Sequence, residues 1–260
     1  MPVFRKDGKN ILFIHVPKCG GSTVENAFRN SGYEVQYLER SAKKSSMNYV
    51  RTCSPQHMHA DLLQRLFRIE RFDLVFMTVR HPIARFRSEY VFRNKRQPDL
   101  SPVAADVSAW AEKTFKRYEK DAFILDNHLR PQHEFWMPQA TVYRLEDGLG
   151  AMLADLNERH ELGVTQAPRA LHSEKAVGFS SSAVELSDDL KAHLADFYAG
   201  DFERFGYELD RIPQPPVEAE PEPAIVTAVA SSAQKPVSTA KKATTRVARK
   251  ARSLARRLKP

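Results

Sequence analysis

The sequence predicts an α/β fold built on a central, mainly parallel sheet. Three observations carry the prediction. The stretch Ile11-Leu12-Phe13-Ile14-His15-Val16 is an apolar, β-branched run, the pattern of a strand buried on both faces, and it passes through Pro17-Lys18-Cys19-Gly20-Gly21 into a helical pattern. A second run, Leu74-Val75-Phe76-Met77-Thr78-Val79, is equally apolar and also leads into a helix, across Arg80-His81-Pro82. Strands that alternate with helices in this way form parallel sheets covered by helices. Finally, 260 residues with 42% apolar content suit one large domain of this class with extras.

Each element has its own signals. Pro17 ends the first strand, because it has no N–H for the ladder. Gly20 and Gly21 allow a tight turn, Ser22 or Thr23 can cap the next helix, and Val24, Ala27 and Phe28 give it an apolar stripe. Residues 33–38 alternate as a second strand, and 39–52 form a polar, basic loop. Leu62, Leu63, Leu66, Phe67 and Ile69 stand at helical spacing, which predicts a helix over 60–72. After the strand Leu74–Val79, Pro82 occupies the first turn of a helix that runs to about Arg96. Further helices are expected over 104–122, 147–160 and 188–205, the last closing on Gly206-Tyr207, with a strand over 140–145 and a loop over 172–178.

Charge divides the chain. Residues 1–210 hold 29 basic and 29 acidic side chains, whereas 211–260 hold 11 and 3, so the net charge of +8 belongs to the C-terminal segment. The expected organisation is a domain over 1–210, a Pro/Glu/Ala-rich linker over 211–234 and a basic tail over 235–260. In the tail Val247, Ala251, Leu254 and Leu258 recur at i, i+4, i+7, i+11. The tail is expected to be disordered or a short amphipathic helix that meets an anionic membrane surface or another polyanion. No run approaches the ~20 apolar residues of a membrane helix, and residues 1–10 do not read as a signal peptide. A cytoplasmic protein is expected, peripheral at a membrane if the tail binds one. Cys19 and Cys53 make neither a disulfide framework nor a zinc site.

Strand, Gly-rich turn and helix N-terminus together aim backbone N–H groups and a positive dipole end at one point. Lys18 adds a mobile cation, and Ser22 and Thr23 add hydroxyls, so Lys18, Cys19, Gly20, Gly21, Ser22 and Thr23 form a candidate site for a phosphate or sulfate group. Cys19 would contribute through its backbone. In a nucleotide P-loop the Lys follows the last Gly, whereas Lys18 precedes both glycines, which disfavours an ordinary ATPase or GTPase. Arg80 stands at the carboxyl end of a strand, the edge where open α/β sheets bind ligands. Arg80 by bidentate pairing, with the Ser88 hydroxyl, suits a second phosphate. His57 and His59 lie at a helix start and are candidates for a base, because imidazole titrates near neutrality. No ligand spacing around them indicates a metal.

These residues carry a resemblance. Phe13–Thr23 and Val79–Tyr90 resemble the two signature motifs of the sulfotransferases, nearest to the group of the heparan-sulfate 2-O-sulfotransferases and bacterial members. The resemblance implies a P-loop-like three-layer fold and 3′-phosphoadenosine 5′-phosphosulfate (PAPS) as co-substrate. Lys18 and Gly20 to Thr23 would hold the phosphosulfate, and Arg80 and Ser88 the 3′-phosphate. His57-Met58-His59 is similar to the segment that supplies the base in uronosyl 2-O-sulfotransferases. Asp126–Gln132 resembles a segment near the substrate cleft, and Lys175 falls in a region that closes over the nucleotide. The implied reaction is sulfuryl transfer to a hydroxyl, of a carbohydrate by the same resemblance, without a metal. If neither His57 nor His59 is the base, then His15, His128, Glu25 and Glu89 are the candidates. The competing readings are an ATP-dependent small-molecule kinase and a polyanion- or membrane-binding protein that acts through its tail.

Overall fold

The computed structural model describes residues 2–165 and 177–213. Lys175, the basic tail and the linker beyond Pro213 lie outside the described residues. The sheet has five strands in the order β3-β1-β2-β4-β5: β1 (Val3–Lys6), β2 (Lys9–Ile14), β3 (Glu34–Gln36), β4 (Leu74–Val79) and β5 (Thr141–Arg144). β2, β4 and β5 pair parallel, with Ile14 opposite Met77 and Val79 opposite Arg144. β1 is antiparallel to both neighbours, so four strands point one way. β1 and β2 form a hairpin on Asp7-Gly8, whose φ values of 49° and 80° suit a two-residue turn.

Alternate residues of each strand enter opposite faces. Ile11, Phe13, Leu74 and Phe76 pack with Val24, Ala27 and Phe28 of α1 (Gly21–Asn30) and with Met152, Leu153 and Leu156 of α5 (Leu149–His160). On the other face Leu12, Ile14, Val75 and Met77 meet Leu63 of α2 (Ala60–Leu66) and Phe205 of α7 (Ala199–Phe205). Helices thus cover both faces of the sheet, and each fully buried Leu, Ile or Phe contributes about 1.5–3 kcal/mol. A third cluster joins α3 (Pro82–Asn94), α4 (Ala104–Tyr118) and α6 (Asp188–Phe197) through Phe86, Tyr90, Val107, Phe115, Leu190 and Leu194.

Several expectations are corrected. The helix expected over 60–72 stops at Leu66: Phe67 is extended (φ −128°, ψ 147°) and packs on Tyr37 and Phe72, and a separate 3-10 turn covers Ile69–Arg71. The helix expected over 188–205 is two, broken at Tyr198 (φ −102°, ψ 19°), whose buried hydroxyl donates to Leu129 O at 3.0 Å. β1 was not expected at all, and β3 is three residues rather than six. Neither Ser22 nor Thr23 caps α1: the capping residue is Gly20, in the left-handed region at φ 83°. No helix among the described residues is long and apolar enough to cross a membrane.

Candidate active site

β2 ends at Ile14, and the chain turns through Pro17–Gly20 into α1 at the carboxyl edge of the sheet. Two left-handed residues, Lys18 (φ 68°) and Gly20 (φ 83°), make the turn. A Cβ on Gly20 would sit 2.9 Å from Leu145 Cδ1, and one on Gly21 would sit 2.1 Å from His15 Nε2. Gly20 is therefore favoured by its left-handed backbone, and Gly21 by the ring of His15 against it. No side chain caps α1; the Thr23 and Val24 N–H groups donate to Gly20 O at 3.0 and 3.3 Å. Ser22 is exposed in this first turn, and Thr23 is buried. Lys18 Nζ lies 4.0 Å from the centroid of Phe92, and burial pushes its ammonium down to about 8, against the opposing charge of Glu89. Cys19 points into the core, its Sγ 3.2 Å from Gln132 Oε1, and burial pushes the thiol up to about 12. Its thiol is thus inert at neutral pH.

The second turn follows β4. Gln132, fully buried, ties it to the first: its Oε1 accepts the Arg80 N–H at 2.9 Å as well as the Cys19 thiol, and its Nε2 donates to Arg80 O at 2.7 Å. Arg80 therefore leaves β4 with a fixed backbone, and Ser88 sits half-buried on α3. Arg85 on the same helix is buried and donates to Pro17 O (3.0 Å), His128 O (2.7 Å) and Arg130 O (2.9 Å). One guanidinium thus links the first turn, α3 and the 128–130 segment.

His57 and His59 separate. His57 lies in a 3-10 turn, Pro55–His57, and lines a cavity of about 490 Å³ together with Ser22, His15, Arg40, Arg51 and Asp126. His59 stands at the start of α2 against Phe123 and Phe135 and does not line that cavity. Three imidazoles reach the cavity, and each has its Nδ1 on a carboxylate. His15 is 2.8 Å from Glu25 Oε1, His57 2.7 Å from Asp126 Oδ2 and His128 2.7 Å from Glu89 Oε2. Burial pushes His57 down to about 3, despite the Asp126 bond that favours its charged form. Burial would raise Asp126, yet its bonds to His57 and Ser54 hold it well below the usual carboxylate range. Glu25 is raised by burial but held at about 2 overall by His15 and Arg40, whose Nη2 lies 2.5 Å away. The cavity therefore presents neutral His57 with a fixed tautomer, Nδ1–H toward Asp126 and Nε2 unprotonated.

The resemblance put Asp126–Gln132 near a substrate cleft, but nothing in the sequence paired Asp126 with His57 or gave Gln132 and Arg85 their contacts. The His57–Asp126 contact spans 69 residues and leaves no local spacing to read. The one local sign is Ser54, three residues before His57, whose hydroxyl donates to Asp126 Oδ2 at 2.7 Å.

The arrangement is a glycine-containing turn at the start of a helix, beside a cavity that holds a neutral, oriented imidazole. Neither a search of curated proteins nor a search of solved structures finds a match. The profile of the Sulfotransferase family matches residues 1–208, which span both turns and the cavity, and the protein belongs to that family.

Proposed function

We propose that the protein moves a sulfuryl group from PAPS to a hydroxyl of a carbohydrate, with His57 as the base. The observation that carries this reading is that one cavity is lined both by Ser22, in the first turn of α1, and by His57 with Asp126. The donor set of residues 18–23 fits a phosphosulfate: an ammonium, two hydroxyls and helix-end N–H groups, with no carboxylate in the segment. Lys18 and Gly20 to Thr23 would hold that group, and Arg80 and Ser88 the 3′-phosphate. On this reading the fold is P-loop-like, and the turns after β2 and β4 form its donor-binding edge.

Sulfuryl transfer needs positioning and charge stabilisation more than covalent help. His57 takes the acceptor proton on Nε2, because Nδ1 is committed to Asp126. Asp126 fixes that tautomer and steadies the imidazolium as it forms. A positioned base of this kind is worth roughly 10²–10⁴-fold. Lys18 stabilises negative charge at the turn. Family membership favours this reading over a kinase.

Thermal shifts test the choice of donor. Adenosine 3′,5′-bisphosphate is expected to raise Tm, and to do so less in Lys18→Ala, while ATP with Mg²⁺ at equal concentration does not. Stabilisation by ATP–Mg²⁺ alone would favour the kinase instead.

A further inference from the structure

Proton transfer needs only the Nε2 side of His57. On its other side, Nδ1 lies 2.7 Å from Asp126 Oδ2 and 3.2 Å from Ser54 Oγ. His128 stands edge-on to His57 with ring centroids 4.7 Å apart. One ligand atom from each of His57, Asp126 and His128 lies within 4.8 Å of the other two. Two imidazoles and a carboxylate, with solvent as fourth ligand, make a donor set for Zn²⁺, which binds such atoms at about 2.0–2.2 Å.

The surroundings are those that orient metal ligands. Glu89 Oε2 holds His128 at Nδ1, which leaves Nε2 with its lone pair, and Glu89 is itself held by Arg93 Nε at 2.5 Å. Asp126 accepts the Ser54 N–H at 2.5 Å and the Ser54 hydroxyl at 2.7 Å. Asn127 Nδ2 donates to His57 O at 2.9 Å and ties the two segments together. Leu125, Asp126 and Asn127 all lie in the left-handed region (φ 53°, 60° and 62°), and this turn brings Asp126 and His128 to the same ring.

We infer that His57 Nδ1, Asp126 and His128 Nε2 form a binding site for a borderline-soft divalent cation of the Zn²⁺ class, and that the cation switches the base off. The site rests on geometry, and its effect on turnover rests on the function proposed above. On binding, the cation takes the place of the proton between Nδ1 and Asp126, and that proton moves to Nε2. An imidazole with metal on Nδ1 and hydrogen on Nε2 has no lone pair for an acceptor hydroxyl. Mg²⁺ does not substitute, because it demands octahedral oxygen ligands.

Calorimetric titration of Zn²⁺ into the metal-free full-length protein tests the site, with Mg²⁺ as control. The expected result is one Zn²⁺ per chain that excess Mg²⁺ does not displace. His128→Ala and Asp126→Asn each weaken it at least about tenfold, and His59→Ala does not change it. Circular dichroism checks each fold, and if His128→Ala is unfolded, His128→Gln carries the test. No stoichiometric binding, or a site that survives both substitutions, overturns the assignment. Sulfuryl transfer is followed in parallel: bound Zn²⁺ abolishes it and EDTA restores it. Undiminished transfer with the site filled overturns the switch. A filled site in a protein that never transfers sulfate leaves the cation site standing and removes the sulfotransferase reading.

Discussion

At the scale of single residues, Gly21 shows how the site constrains the sequence. It opens α1, and alanine is favoured over glycine by about 1 kcal/mol at most, the value of a helix interior. Yet a Cβ there would lie 2.1 Å from His15 Nε2, and His15 is pinned through Nδ1 to Glu25. The clash outweighs the propensity, so Gly21→Ala is expected to cost roughly 1–3 kcal/mol, the range for overpacking. In a His15→Ala background the same substitution is expected to be neutral or stabilising. Urea midpoints of the two singles and the double give the coupling, and an equal loss in both backgrounds would contradict it. His57 is a second case. Its residue type made it a candidate from sequence, but its partner Asp126 and the cavity position that distinguishes it from His59 come only from the fold.

At the scale of elements, the two turns at the sheet edge are held by side chains remote in sequence from them. Arg85 joins Pro17, His128 and Arg130, and lysine, with a single point charge, cannot span three carbonyls. Arg85→Lys is expected to lower stability by roughly 2–4 kcal/mol, since each orphaned buried carbonyl costs about 1–3 kcal/mol. It should also weaken binding of adenosine 3′,5′-bisphosphate, because both turns loosen. Chemical denaturation and calorimetry measure these, and a change below about 0.5 kcal/mol would contradict the role. What was legible in the sequence follows the same division. β4 and α1 could be read because their apolar runs and their periodicity are local. The hairpin β1–β2 had a readable sign, the turn pair Asp7-Gly8, but polar residues flank it on both sides and β1 is only four residues long. The break at Phe67 could not be read, since no glycine or proline marks it; that at Tyr198 had only Gly200 two residues on, and tertiary contacts hold both. The strand, turn and helix around residues 18–23 could be read because they are contiguous. The cavity could not, because its wall is assembled from segments as far apart as Ser22 and His128.

At the scale of the whole molecule, buried imidazoles and carboxylates set the response to pH. His57 has a folded pKa of about 3 against 6.5 unfolded, so the unfolded chain binds more protons between those values. Its contribution is present above 6.5 and is lost as pH falls toward 3. Glu25 and Glu89 are depressed to about 2, so theirs is present above about 4.5 and lost below it. His133, raised by its bond to Asp201, acts in the opposite sense. The sum favours a protein that loses stability steadily from pH 7 to 4, with a flatter curve between 4.5 and 6.5 for His57→Gln; urea midpoints across that range check it, and constant stability would contradict it. The central claim joins the turn after β2, the His57–Asp126 pair and the cavity between them into one machine for sulfuryl transfer. Its most direct test is transfer of radiolabelled sulfate from PAPS to a panel of carbohydrate hydroxyls by the wild type, folded Lys18→Ala and folded His57→Ala. The account predicts transfer by the wild type, a loss of at least about 10²-fold in His57→Ala and none detectable in Lys18→Ala. Undiminished transfer by Lys18→Ala, or none by the wild type to any acceptor, would contradict it.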